Sequence, residues 1–598
     1  MNHNTSADTL AKYVLKLAKR KQVNCLNVLE KNGTTKTYSS QSYFDQIQKV
    51  SKALCDSGIK KSDKIAIFSN TRHEWSVCDL ASICIGAVVV PLYSNMTTEE
   101  LSYILNHSDC KMIFVENRTA LRQLMVIREQ CPQLKTVVLF DPPQQKEVGV
   151  WISFSEFIAG AVQGTRQSFN FERLCVQAMP DDIVTIIYTS GTTGVPKGVV
   201  LKNSQILFEI QEVFAALQIT AEDHTLSFLP YSHVLGRIEH WGHLVIGYSM
   251  TYSAGMERLA TELQLVQPTV MVAVPRVFEK LYIGLKTKIE TSSIDSTIFS
   301  WAFGVGSEVS QKRQRHEELG LKLSAQFQLA KSLLFDRLKE QLFGSNLRFA
   351  ISGGAPLNSD IIRFFHTCGI QILEGYGLTE TTGAICLNRP YDFEFGTIGK
   401  PLHKVKIKIA KDGEILVQSP TSMVEYYKNP ESTARVMQDG WLHTGDIGEI
   451  NSSGRLLLKD RKKDLIKTAN GKYVAPQKIE GMFKQLPFIS HAHIHGDQRS
   501  YVVALLTLNK NFLFAQARER EIPFKSLEDL KDHPFIKEMI RNGVAQINSN
   551  LASHESIKNY AVLSEDFSIE SGEITPTLKV KRRIVDQKYK TLIDSLYD

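Results

Sequence analysis

The chain reads as an α/β protein, with a large N-terminal part built from helix-covered sheets and a smaller α+β domain behind it. Three observations predict this. Apolar, β-branched runs recur at Ile65–Phe68, Met112–Val115, Thr136–Phe140, Ile183–Tyr188, Val270–Val274 and Leu347–Ile351, separated by amphipathic segments long enough for crossover helices. From about Lys404 the pattern turns to short alternating strands, Val405–Ile409, Glu414–Val417 and Arg455–Leu458, which indicate a β-rich section over about 404–460. Beyond Lys463 about 135 residues remain, enough for a separate domain, so the expected division is 1–462 and 463–598.

Individual elements follow from local signals. Ala81–Leu92, the most hydrophobic window, is about half the ~20 residues of a membrane-spanning helix and reads as a buried helix running into a strand. Thr97 and Glu100 stand at capping-box spacing ahead of Leu101, marking a helix start. Between about 278 and 343 a charged, helix-rich stretch carries Leu323, Phe327, Ala330, Leu334, Leu338 and Leu342 at three- and four-residue steps, the stripe of a helix packed on a core.

Bulk properties exclude several classes. With 598 residues and 43% hydrophobic content, the chain can bury a large core over two to four domains. A net charge of +7, from 70 basic and 63 acidic side chains, is too mild to argue for nucleic acid, although it suits an anionic membrane face as well as ordinary solvation. Nine cysteines between Cys25 and Cys386, none in a CxxC pair, predict free thiols in a reducing compartment and no structural metal. Met1–Asp8 lacks the apolar stretch of a secretory signal, so a cytoplasmic location is expected.

The chemistry starts at Tyr188–Gly198. This segment leaves the run Ile183–Ile187 and packs Thr189, Ser190, Gly191, Thr192, Thr193, Gly194 and Lys197 together, so hydroxyls, backbone N–H groups and one ammonium can meet a polyphosphate. It is not a Walker motif, because Pro196 and Gly198 flank the lysine and disfavour direct entry into a helix. A surface hairpin turn is the alternative reading.

Five further segments accompany the loop: Ser352–Pro356, Glu374–Glu380, Trp441–Asp446, Asp460–Asp464 and Thr575–Arg582. In order, spacing and residue type the six together resemble the adenylate-forming superfamily of acyl-CoA synthetases, luciferases and peptide-synthetase adenylation domains. Val274–Lys280, the helical stretch after it and the Thr-Pro-Thr-Leu-Lys form of the last segment resemble the long-chain fatty acyl-CoA synthetase branch. The resemblance implies a large AMP-binding domain and a mobile C-terminal domain. Its reaction joins a fatty acid to AMP from ATP with Mg²⁺, then passes the acyl group to coenzyme A.

The resemblance also implies roles. Thr189–Gly194 and Lys197 would hold the β- and γ-phosphates, while Gly353, Gly354, Ala355, Tyr376 and Gly377 would frame the adenine. Thr379 would touch the α-phosphate and Glu380 would hold Mg²⁺, a hard cation that prefers oxygen ligands. Asp446 would accept from both ribose hydroxyls with Arg461 nearby, and His233 would line the acyl entrance. Lys463 marks the hinge, and Lys579 would offset charge in the adenylation transition state. Without the family pattern, Leu578–Arg583 is equally a solvated basic run in which Lys581 competes with Lys579.

Two positions depart from the pattern. Lys202-Asn203 replaces a Thr-His pair of many relatives, and Arg237 stands where some bacterial long-chain relatives carry a gating tryptophan, so the acyl gate is expected to work differently. Two other outcomes stay open on the sequence alone: an acyl-AMP ligase or acyl-carrier-protein synthetase, and an inactive homologue that only binds fatty acid or nucleotide.

Overall fold

A computed structural model of the protein describes residues 8–143, 150–163, 169–189, 195–291, 296–569, 571–575 and 579–598. The N-terminal apolar runs build two sheets. One has seven strands in the order Ile152–Ser153, Thr136–Leu139, Cys110–Val115, Lys64–Phe68, Val88–Leu92, Ile183–Thr189 and Lys197–Lys202, parallel throughout except for the last pair. Ile65–Phe68, Val88–Leu92 and Met112–Val115 are buried at every position, as parallel strands covered on both faces must be.

The other sheet has nine strands, in the order Lys400–Pro401, Gly383–Leu387, Ile372–Leu378, Phe349–Ser352, Val270–Ala273, His224–Ser227, Ser249–Tyr252, Leu26–Leu29 and Thr35–Tyr38. Its neighbours are parallel from Ile372–Leu378 through Leu26–Leu29, and antiparallel strands close both edges.

The Ala81–Leu92 window resolves into the helix His73–Cys84 and the strand Val88–Leu92. Every residue of that helix except Glu74 is buried, which is why it shows no amphipathic stripe. The helix Thr98–His107 opens on a complete capping box: Glu100 N donates to Thr97 Oγ1 and Thr97 N to Glu100 Oε2, each at 3.2 Å. Either bond satisfies a backbone donor that the first helical turn leaves without a partner.

Helices Pro275–Thr291, Ser296–Gln314, Leu321–Ala330 and Asp336–Phe343 form the helical stretch, and the Leu323–Leu342 stripe is buried throughout. A π-helical turn at Lys331–Phe335 joins the last two helices. The stripe runs in four-residue steps from Ala330 to Leu342, which would drift around a regular α-helix; the wider turn brings Leu334 and Leu338 back to the core.

The β-rich section is a five-stranded antiparallel sheet of Lys406–Ile409, Glu414–Gln418, Met437–Gln438, Trp441–Ile450 and Leu456–Arg461. Beyond it, Ile489–His495, Val502–Leu508 and Ile557–Val562 form a three-stranded sheet with helices that include Pro476–Phe483 and Pro534–Asn548. The two buried clusters of this smaller domain contain no residue before Ile466, so it closes its own cores. All nine cysteines are free. Among the described residues no helix is long and apolar enough to cross a membrane.

Candidate active site

The sheets of the N-terminal domain, the β-rich section and the smaller domain enclose a crevice of about 3380 Å³. That exceeds the roughly 300–1,000 Å³ of an ordinary ligand pocket and leaves room for more than one substrate.

Ile183–Thr189 and Lys197–Lys202 pair antiparallel with Thr189 opposite Lys197, and Thr189 and Lys197 both line the crevice. Thr189 Oγ1 donates to the Lys197 carbonyl at 3.5 Å. Ser190, Gly191, Thr192, Thr193 and Gly194 lie outside the described residues. The Lys197 ammonium sits 5.0 Å from the Tyr426 ring centroid. Its pKa is lowered by burial and by the nearby positive charges of Lys463 and Arg435, with Glu380 acting against them.

Tyr426 is a site residue that the sequence reading missed. Backbone bonds from Val200 N to Glu425 O (3.0 Å) and from Tyr427 N to Gly198 O (2.7 Å) lay residues 425–427 beside the lysine strand. Tyr426 thereby donates its hydroxyl to Glu380 Oε1 at 2.7 Å. The strand Ile372–Leu378 delivers Thr379 and Glu380 on the single turn Thr379–Thr381, and both line the crevice. Gly377, in the same strand, tolerates no side chain, because a Cβ would overlap the Gly383 carbonyl of the paired strand.

Tyr426 fixes one oxygen of a carboxylate suited to a hard divalent cation. Tyr426→Phe is therefore expected to raise the Mg²⁺ concentration for half-maximal activity by about tenfold, the usual effect of losing a partner that orients a metal ligand. Titration of Mg²⁺ at fixed ATP checks this, and an unchanged midpoint would remove Tyr426 from the site.

Asp446 is 3% exposed and opposes Arg461 in the sheet register. Its Oδ2 accepts the Tyr376 hydroxyl at 2.6 Å, and its Oδ1 lies 3.2 Å from Arg461 Nε. Burial raises its pKa, while Arg461, Tyr376 and Lys579 oppose the rise. Each oxygen keeps lone-pair capacity for a further donor, as a diol would require. Gly354, Ala355 and Gly377 line the crevice with Tyr376, whereas Gly353 is buried behind them against Leu235. Glu374, also unforeseen, accepts from Leu357 N at 3.3 Å and anchors that loop; burial pushes its carboxyl up to about 8.

His233 lines the crevice and also caps the helix Val234–Ile246, its Nδ1 accepting from Leu235 N at 3.2 Å. Burial, and then the charge of Lys579, pull it down to about 4, so it is neutral at physiological pH. Arg237, one turn further, does not face the crevice. It is fully buried, ion-paired to Asp79, bonded to Thr185 Oγ1 at 2.8 Å and stacked 4.3 Å from the Trp241 ring centroid. Trp241 Nε1 donates to the second Asp79 oxygen at 3.0 Å.

The two competing C-terminal lysines part company. Thr575 N bonds to Lys579 O at 2.8 Å and Lys579 N to Thr575 Oγ1 at 3.0 Å, and Lys579 lines the crevice. Lys581 also borders the crevice but ion-pairs at 3.6 Å with Glu100 of the N-terminal domain. Lys579 is open to the crevice solvent yet flanked by protein. Enclosure and the nearby Arg461 push its pKa down to about 8, with Asp446 and Asp464 opposing. Lys463 lines the same crevice, exposed, where the β-rich section gives way to the smaller domain.

Lys579 is charged below about pH 8 and loses its charge as the pH rises through that value. The kcat/KM for adenylation is therefore expected to fall along an alkaline limb near pH 8, because that parameter reports the free enzyme. Lys579→Arg, which stays charged, moves the limb out of range; a limb unchanged in that variant assigns it to another group.

The fold and the acidic and basic side chains gathered around one crevice define a class. The chain belongs to the AMP-binding enzyme family, whose model matches residues 17–427, and the AMP-binding enzyme C-terminal domain matches residues 463–598. Among curated relatives, the long-chain-fatty-acid–CoA ligase FadD15 of Mycobacterium bovis is 32% identical over 565 residues, covering 93% of this chain and 91% of that protein. The peroxisomal long chain acyl-CoA synthetase 7 of Arabidopsis thaliana is 28% identical over 600 residues, covering 95% and 83%.

Solved structures share the fold. The anthranilate CoA ligase AuaEII in complex with anthranoyl-AMP superposes with a TM-score of 0.73 at 19% identity, covering 99% of both chains. The o-succinylbenzoate coenzyme A synthetase of Bacillus subtilis in complex with ATP and magnesium ion gives 0.66 at 19% identity, covering 96% of this chain and 98% of that one.

Proposed function

We propose that this protein is an ATP-dependent long-chain fatty acid–CoA ligase, forming acyl-AMP and diphosphate and then acyl-CoA and AMP. The observation that carries the reading is the convergence of Lys197, Glu380, Asp446, Arg461 and Lys579 on one crevice, although they come from distant parts of the chain. The names of the relatives support the acyl and thiol substrates.

In the first step a carboxylate oxygen attacks the α-phosphorus and the bond to diphosphate breaks. Repulsion between two anions opposes this, and preorganised cations lower that barrier. Lys197 faces the phosphate end, the Asp446–Tyr376 pair takes the ribose, and Lys579 reaches the region between them. Mg²⁺, when bound, neutralises phosphate charge, and Glu380, held by Tyr426, would be its protein ligand. In the second step the pantetheine sulfur attacks the acyl carbonyl and AMP leaves. We take 463–598 as the unit that swings about Lys463 between the steps, removing Lys579 from the site. A cytoplasmic location, in keeping with nine unpaired cysteines, completes the proposal.

Palmitate or oleate with Mg²⁺-ATP and CoA is expected to give the thioester with stoichiometric AMP. Acyl-AMP that accumulates despite CoA, and is consumed when a carrier protein is supplied, would replace this reading with the acyl-AMP ligase or carrier-protein synthetase.

A further inference from the structure

The strand Ile489–His495 carries histidines at alternate positions, so His491, His493 and His495 share one face of the C-terminal sheet. The helix Arg582–Lys588 lies against that face and presents Asp586. Asp586 Oδ1 stands 2.9 Å from His493 Nε2 and 2.8 Å from His495 Nδ1, and the three donor groups lie within 4.8 Å of one another. His493 is 1% exposed, whereas His495 and Asp586 reach the crevice wall.

We propose that His493, His495 and Asp586 form a binding site for one divalent transition-metal ion of the Zn²⁺ type, separate from the Mg²⁺ of the nucleotide. Two imidazoles and one carboxylate suit a borderline cation; Mg²⁺ takes octahedral oxygen ligands and is disfavoured here. Two histidines at i and i+2 on a rigid strand fix two ligand directions, and the helix supplies the third. With metal bonds of about 2.0–2.1 Å, tetrahedral donors stand roughly 3.3–3.4 Å apart, so each of the two carboxylate–imidazole distances would open by about 0.5 Å.

His493 Nδ1 is buried without a hydrogen-bond partner among the described residues, so one imidazole lacks the outer support that tightens metal sites. Cysteine spacing, on which the expectation of no structural metal rested, is blind to histidines alternating on a strand.

The test titrates the full-length protein with Co²⁺ in excess Mg²⁺, reading the visible d–d absorption. One equivalent is expected to bind as a four-coordinate ion without thiolate charge transfer. His495→Gln and Asp586→Asn should each weaken binding by about tenfold or more, and Zn²⁺ should displace the Co²⁺. His495 lies at the crevice wall, so His495→Gln decides the matter should Asp586→Asn prove poorly folded. Equal affinity in the variants, thiolate charge transfer, or no absorption with excess Co²⁺ would each overturn the site and leave a hydrogen-bonded cluster.

Discussion

Replacing Lys579 with alanine lowers acyl-adenylate formation by about 10²–10³-fold while leaving thioester formation from supplied acyl-AMP and CoA little changed. The magnitude is that of deleting one preorganised charge or donor aimed at a developing anion. The split between half-reactions follows from the proposed swing: Lys579 belongs to the smaller domain and stands near Arg461 and Asp446 of the larger one, contacts that the swing would remove. Single-turnover assays of each step separate the two effects. Lys581→Ala is the control. Its partner Glu100 is a partly exposed acid, and such pairs contribute about 0–1 kcal/mol, so the loss should stay below tenfold. Equal losses in both half-reactions for Lys579→Ala would reduce it to a structural residue.

Asp79→Ala destabilises the N-terminal domain by about 3–5 kcal/mol, the usual cost of leaving one member of a buried ion pair without the other. Arg237 would stay in the core with its strongest partner gone; even with Asp79 present, burial pushes its pKa down to about 10. Trp241 would also lose the acceptor of its indole N–H. Denaturant titration followed by a probe of the N-terminal domain measures the effect. Asp79→Leu combined with Arg237→Met, which removes both charges and keeps the volume filled, should recover most of it. A loss below about 1 kcal/mol for Asp79→Ala would mean that water reaches the pair. Since Arg237 lies in the helix that His233 caps, the single variant should also perturb the crevice wall at His233.

Much of the site was legible because its parts are local. A strand, a hydroxyl-rich turn and a lysine lie within the stretch 183–197, and the capping box at Thr97–Glu100 spans four residues. Asp446 and Arg461 sit fifteen residues apart on adjacent strands, so one antiparallel pairing joins them. What escaped depends on long-range pairing. Tyr426 is an ordinary tyrosine until residues 425–427 dock beside the lysine strand, and nothing near it in sequence announces that. Asp79 and Arg237 are separated by 158 residues, and the resemblance placed Arg237 at the acyl gate, so nothing in the sequence joined the two. The choice of Lys579 over Lys581 rested on resemblance; the local pattern does not show which of the two turns inward.

Glu100 spends one carboxylate oxygen on the start of its own helix and offers the other to Lys581 across the divide. Parting the two halves therefore leaves no orphaned charge: the acid keeps its backbone donor, and the ammonium meets bulk water. Under the proposed swing of 463–598, a clasp of this kind would hold the smaller domain against the larger one and let go at small cost.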